Sequence, residues 1–205
     1  ENVVKAYPDS IGAQFTLKKI KHDHRGLVQW SLLSDIVTNV TSFYNLKLPE
    51  NSCIIHLRLG DAFNPKFADI GYKVPAIESV VEQVRMNVPL EYAVGIVYSS
   101  MAGGSPNLNH AVEGIEFATK LSDRLKIIGY RVESYNQSHP DVDLCRMVNA
   151  AIFISGKGGY SNLATSLRRY RGLATVGSSN NPCYAETIFG LIDRNVEIIS
   201  PVDFD

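Results

Sequence analysis

The chain has 205 residues, 45% of them hydrophobic and 20% charged, with a formal net charge of −1. That is ample material for one globular domain, or one large domain with a small extension. The lack of a basic surplus argues against a general nucleic-acid binder, because phosphate backbones are normally met by one.

No run approaches the roughly 18 consecutive apolar residues of a membrane span, and the opening Glu1-Asn-Val-Val-Lys5 is not a signal peptide. A first residue other than Met reads as a processed protein or a domain of a larger polypeptide. The three cysteines, Cys53, Cys145 and Cys183, sit in apolar surroundings. They read as small buried hydrophobes of a reducing compartment, so a cytoplasmic location is the expectation. Sequons at Asn39 and Asn136 carry little weight, since such triplets arise by chance.

The apolar spacing of Leu33, Ile36, Val37, Val40, Phe43 and Tyr44 predicts an amphipathic helix over 27–44. A strand at 52–59 follows, then a loop rich in Phe, Asn and Pro at 62–74. Pro75 stands near the start of a second helix, with Ile77, Val80, Val81 and Val84 on one side. Next come a buried strand at 92–98, a helix over about 109–128, a strand at 130–135, a helix over 141–150 and a strand at 151–154. A helix over about 161–170 precedes a short strand at 173–176, and another helix is expected after Pro182. Strands alternating with helices imply right-handed crossovers and a mostly parallel, Rossmann-like α/β sheet with helices on both faces. Residues 1–50 read as an N-terminal segment with a helix and residues 51–205 as a Rossmann-like domain, and 1–205 can equally form one compact domain.

The first strand carries the strongest chemical signal. Side chains alternate along a strand, so His56 and Arg58 face one way while Ile55, Leu57 and Leu59 face the other. Gly60 then turns the chain and presents Asp61. A charged Arg in an apolar strand is costly unless it holds an anion or an internal carboxylate, Asp61 or Asp143 being the candidates for the latter. Ligands of open parallel sheets bind outside the carboxyl ends of the strands. The second strand ends there in Tyr98 and Ser99, and the third leads to Asn136-Gln-Ser-His-Pro140. The fourth runs into the glycine-rich turn Ser155-Gly-Lys-Gly-Gly-Tyr-Ser161. That turn opens a helix, and Gly158, Gly159, Tyr160 and Ser161 would offer amides and a hydroxyl to an anion, with Lys157 adding charge. It matches neither GxxxxGK[ST] nor GxGxxG, and such turns also serve as plain connectors.

Three other clusters have simpler readings. Asp141-Val-Asp143 has a DxD pattern, yet it follows Ser138-His-Pro140 and begins a helix, which suits Asp141 as N-cap and Asp143 in the first turn. His22-Asp-His-Arg-Gly26 reads as a solvated loop, with a metal site, or an acid/base or substrate-orienting role for Asp23 and His24, as the alternatives. The run Arg168-Arg-Tyr-Arg171 reads as the cationic, solvated end of a helix.

His56-Leu-Arg58-Leu-Gly60-Asp61 resembles the HxRxGD motif of the α1,2-fucosyltransferases, a group allied to α1,6- and protein O-fucosyltransferases. Asp143-Leu-Cys-Arg-Met147, Ala151-Ile-Phe-Ile-Ser155, Gly159-Tyr-Ser161 and Ala164 resemble the second signature of those enzymes. The resemblance spans about residues 52–170. It implies the donor-binding half of a GT-B fold, an inverting reaction and no metal or other cofactor. It further implies that Arg58 contacts a donor pyrophosphate with support from His56, that Ser161 and the amides near Gly159 and Tyr160 hold phosphate oxygens, and that Asp143 orients the nucleoside. A GT-B enzyme carries a separate acceptor domain before this half, so the resemblance implies that residues 51–205 are the nucleotide-sugar-binding domain and that residues 1–50 could build part of an acceptor side. Position 59 is Leu where the α1,2 enzymes usually show a polar or basic residue. Glycosyltransferase domains of large algal viruses are a looser comparison, which adds L-rhamnose to L-fucose as a candidate sugar.

The expectation is therefore transfer of a 6-deoxyhexose from a GDP or UDP donor to a glycan acceptor. Asp61 is the first candidate base, with Asp23 and His24 behind it. A non-catalytic nucleotide-sugar or glycan-binding module, and a Rossmann-like domain that binds nothing, remain the alternatives.

Overall fold

Residues 52–57 are buried on both sides, as a strand sandwiched between helix layers must be, and with Arg58 they form the centre of the sheet. The computed structural model describes residues 30–64, 74–100, 108–136, 138–156 and 158–177. In chain order the elements are α1 (Trp30–Phe43), β1 (Ser52–Arg58), α2 (Ile77–Asn87), β2 (Ala93–Ser99), α3 (Leu108–Ile128), β3 (Arg131–Asn136), α4 (Pro140–Asn149), β4 (Ile152–Ser155), α5 (Gly159–Tyr170) and β5 (Val176–Gly177). All strand pairs are parallel, in the order β3-β2-β1-β4-β5. The expected Rossmann-like α/β architecture is the observed one.

The order fixes where the helices lie. The chain steps from β1 through β2 to β3, then returns past β1 to β4, so consecutive crossovers change faces there. On one face Ile55, Leu57, Val94, Ile96 and Ile154 pack against Val80, Val81 and Val84 of α2 and Ala118, Leu121 and Leu125 of α3. On the other, Ile54, Val97 and Phe153 pack against α1, α4 and α5 through Leu33, Val37, Leu144, Met147, Leu163 and Leu167. Each such fully buried aliphatic side chain contributes about 1.5–3 kcal/mol of transfer free energy.

Most predicted elements appear within one to three residues of the expected bounds. The last strand is shorter than expected, two residues at Val176–Gly177, and the helix after Pro182 lies outside the described residues. The N-cap of α4 differs from the sequence reading: His139 takes that place, its Nδ1 accepting from the Asp141 amide at 3.3 Å, while Asp141 sits inside the first turn. Pro140 occupies the first helical position, where its fixed φ suits a helix start and no amide is needed.

The basic run at the end of α5 is also not the solvated cap that its charge suggests. Arg168 has no exposed surface. Its guanidinium makes six hydrogen bonds to the carbonyls of Met147, Val148, Ala150, Ala151 and Ala174. It thereby satisfies the orphan carbonyls at the carboxyl end of α4, and it ties that end to β4 and to the approach to β5. Arg171 bonds to Ser34, Thr38 and Asn149, which fastens α1 to α4 and α5. Cys53 and Cys145 are buried free thiols, both pushed above the ordinary thiol range, to about 12 and about 11, chiefly by burial. Among the described residues no helix is long and apolar enough to cross a membrane.

Candidate functional site

Because β1 and β4 are neighbours whose crossovers lie on opposite faces, their carboxyl ends form the topological switch point, the place where open α/β sheets bind ligands in a crevice. The two strongest sequence signals meet there. β1 supplies His56 and Arg58 on the face covered by α1, α4 and α5, since His56 continues the alternation of Ile54. The register Ile54↔Phe153 and Ile55↔Ile154 then brings the β4 end and its glycine turn beside His56.

The closeness explains two glycines. A Cβ on Gly156 would stand 2.1 Å from the His56 carbonyl oxygen, so only a residue without a side chain lets the turn pass the end of β1. Gly158 has φ 107 and ψ 163, a region essentially closed to other residues. A Cβ there would lie 3.3 Å from both Cδ and Nη1 of Arg58. The Arg58 side chain thus runs across the turn at the start of α5. Gly158 is the N-cap of α5 and, being glycine, gives that helix no side-chain cap; among the described residues its start carries none. A guanidinium, an uncapped helix amino terminus and a close-approaching backbone occupy one place, the combination that binds phosphate oxygens.

His56 is 8% exposed, and its Nδ1 is buried with no hydrogen-bond partner among the described residues. Its ring meets the Tyr160 ring edge to face at 5.8 Å. Burial, and then the Arg58 charge, lower its pKa to about 4, so near neutral pH it is an uncharged imidazole. The Tyr160 hydroxyl donates to the Pro140 carbonyl, linking the first turns of α5 and α4. Burial raises the Tyr160 pKa well above the usual phenol range.

Other expected site residues are placed differently. The Ser161 side chain is fully buried, and its Oγ lies 3.1 Å from Ser155 Oγ, which also accepts from Thr165. These hydroxyls brace the turn from beneath, so an anion at α5 would meet main-chain amides of Gly159, Tyr160 and Ser161 rather than the Ser161 hydroxyl. Tyr98 belongs to the core on the α2 and α3 side, away from His56 and Arg58. Ser99 pairs in register with Arg58 at the end of β2. Asp143 is buried and accepts from Ser138 and, at 2.8 Å, from Arg146, whose guanidinium lies over the Tyr135 ring. Burial raises the Asp143 pKa against the lowering effect of these bonds. Asp143 is therefore the partner of Arg146, the residue one helical turn on, and the i,i+3 spacing was the signal for that pair.

Gly60 follows β1 and Asp61 opens a single 3-10 turn, Asp61–Phe63; the Asp61 side chain lies outside what is described. Asp23, His24 and Lys157 lie outside the described residues altogether. No three His, Cys, Asp or Glu side chains among the described residues cluster as metal ligands. No family model matches the chain, and no curated protein or solved structure matches it.

Proposed function

We propose that this chain is a glycosyltransferase domain that transfers a 6-deoxyhexose, L-fucose or L-rhamnose, from a nucleoside diphosphate to a glycan hydroxyl with inversion and without a metal. The observation that carries the reading is the meeting of Arg58 with the uncapped start of α5 at the switch point between β1 and β4. Negative charge grows on the leaving diphosphate as the sugar takes on oxocarbenium character. A fixed guanidinium and amides aimed at that charge stabilise the transition state more than the ground state. The HxRxGD resemblance supplies the sugar class, and Asp61 the candidate base, placed directly after the turn that ends β1. The buried free thiols of Cys53 and Cys145 support a cytoplasmic, reducing setting.

The test is a thermal-shift panel of GDP, UDP, dTDP and their sugars, followed by donor hydrolysis. A diphosphate-dependent rise in Tm that Arg58→Ala removes, with slow release of free sugar, is the expected result. No shift with any diphosphate would refute the reading. Binding with neither hydrolysis nor transfer would make the chain a nucleotide-sugar-binding module.

A further inference from the structure

Helix α1 ends in a way that fixes two aromatic rings in solvent. Tyr44 N donates to Val40 O at 3.0 Å, Asn45 N to Ser42 O at 3.1 Å and Leu46 N to Thr41 O at 3.0 Å. Asn45 has φ 48. This is a Schellman closure with Asn in the left-handed position, and Leu46 behind it packs into the core. The helix end is thus locked, yet Phe43 is 83% exposed and Tyr44 41%. Their rings meet edge to face at 5.1 Å, and Tyr44 meets the His139 ring at 5.6 Å. His139 precedes Pro140, whose carbonyl takes the Tyr160 hydroxyl, and Tyr160 lies against His56. An unbroken line of contacts therefore runs from the exposed rings to the crevice.

We infer that Phe43, Tyr44 and His139 form a carbohydrate platform on which a sugar ring of the acceptor glycan stacks; the choice of a sugar rests on the glycosyltransferase reading of the adjoining crevice. Three observations favour this occupant. The Phe43 ring, 83% exposed, offers a flat apolar surface to the C–H side of a pyranose, and the Tyr44 ring, at 85° to it, stands as a side wall against which the sugar's edge can rest. The exposed neighbours Asn39, Ser42 and Asn45 are polar and uncharged, which suits sugar hydroxyls. The patch is also small. Two aromatic side chains present at most about 150–250 Å² each, far below the roughly 800 Å² per partner of a stable protein interface. Among the described residues the other large exposed hydrophobics belong to other elements: Met86, Leu90, Val112, Ile115 and Ile127 to α2, α3 and the loop between α2 and β2, and Tyr170 and Leu173 to the end of α5 and the turn after it.

The experiment is saturation-transfer NMR on the 205-residue chain with methyl glycosides of galactose, N-acetylglucosamine, mannose and fucose, irradiating aromatic protons. Wild type and the Phe43→Ala/Tyr44→Ala double variant are compared, with thermal melting and the diphosphate-induced Tm shift as controls. At least one glycoside is expected to receive saturation in wild type and to bind at least about tenfold more weakly in the variant, with melting and the diphosphate shift unchanged. No saturation with any glycoside, or equal saturation in the variant, overturns the platform. A wild-type dimer in sedimentation that the double variant dissolves overturns it in favour of a second copy of the chain. A missing diphosphate shift with aromatic saturation intact sinks the donor site and leaves the platform standing. Should the double variant unfold, Phe43→Ser alone carries the test, because a side chain exposed to this degree contributes little to the core.

Discussion

Replacing Gly158 by Ala puts the clamp between Arg58 and α5 under direct strain. An Ala at φ 107 and ψ 163 costs about 1–3 kcal/mol of backbone energy. In a domain of this size each kcal/mol lowers Tm by about 2–4 °C, so a fall of roughly 2–12 °C is expected. The new methyl would also stand 3.3 Å from Cδ and Nη1 of Arg58. The Arg58 side chain can swing away, so that crowding registers in ligand binding rather than in stability. Losing a charge-assisted hydrogen bond costs about 1.5–3 kcal/mol, or roughly ten- to a hundredfold in the Kd of a nucleoside diphosphate. Gly172→Ala is the control, because Gly172 has φ 72 and nothing within 4 Å of its would-be Cβ. It should lose comparable stability and keep full affinity. Both quantities come from one set of measurements: urea unfolding for stability, and titration calorimetry with GDP or UDP for affinity. Unchanged affinity in Gly158→Ala, or an equal loss in Gly172→Ala, would refute the idea that Arg58 works across the turn.

Further perturbations probe the rest of the site. Ser161→Ala should cost about 1 kcal/mol through the broken hydroxyl brace and leave the diphosphate-induced Tm shift intact; loss of the shift would return the hydroxyl to the ligand. Arg168→Met leaves several buried carbonyls without a donor and should destabilise by about 3 kcal/mol or more in denaturant titration, and a near-neutral result would remove Arg168 as the fastener of α4. For His56, the folded pKa of about 4 lies below the unfolded value near 6.5, so the unfolded chain binds more protons between them. Stability should fall as pH drops through that window, by up to about 1.4 kcal/mol per pH unit. Asp143, with its raised pKa, acts in the opposite sense. The diagnostic is therefore the difference between wild type and His56→Gln across the window, and parallel curves would contradict the buried neutral imidazole.

The sheet was legible in the sequence because crossovers leave a long-period signature. The alternation of short apolar runs with helix-period segments located every described strand and most helix ends. What stayed hidden depended on contacts between distant segments. β2 is apolar on both faces, so nothing in Val94 to Ser99 reveals that Tyr98 turns away from Arg58. Arg168 sits in a run of cations that looks solvated, and only the meeting of α4, β4 and the approach to β5 makes it a buried fastener. His139 outcompeted Asp141 as cap because Pro140 fixes the first helical position two residues before the Val142 that an Asp141 cap would require. His56, Arg58 and the glycine turn were legible as separate signals. Their union required the strand order, which places β4 rather than β2 on the free side of β1. Gly156 carried no local sign of its role, since the atom it must clear, the His56 carbonyl, lies a hundred residues away in the chain.

β1 is hydrogen-bonded on both sides, by β2 and by β4. His56 and Arg58 are thus carried by a strand that exchanges its amides with solvent only when the whole sheet opens. The facing half is a turn that no strand partner holds, fixed instead by the close approach of Gly156 to the His56 carbonyl and by the hydroxyls of Ser155, Ser161 and Thr165. The two halves of the site are therefore held by different means, one by main-chain pairing at the centre of the sheet and the other by side-chain hydroxyls and close contact. A single substitution beneath the turn can shift that half alone, while the arginine stays where the centre of the sheet holds it.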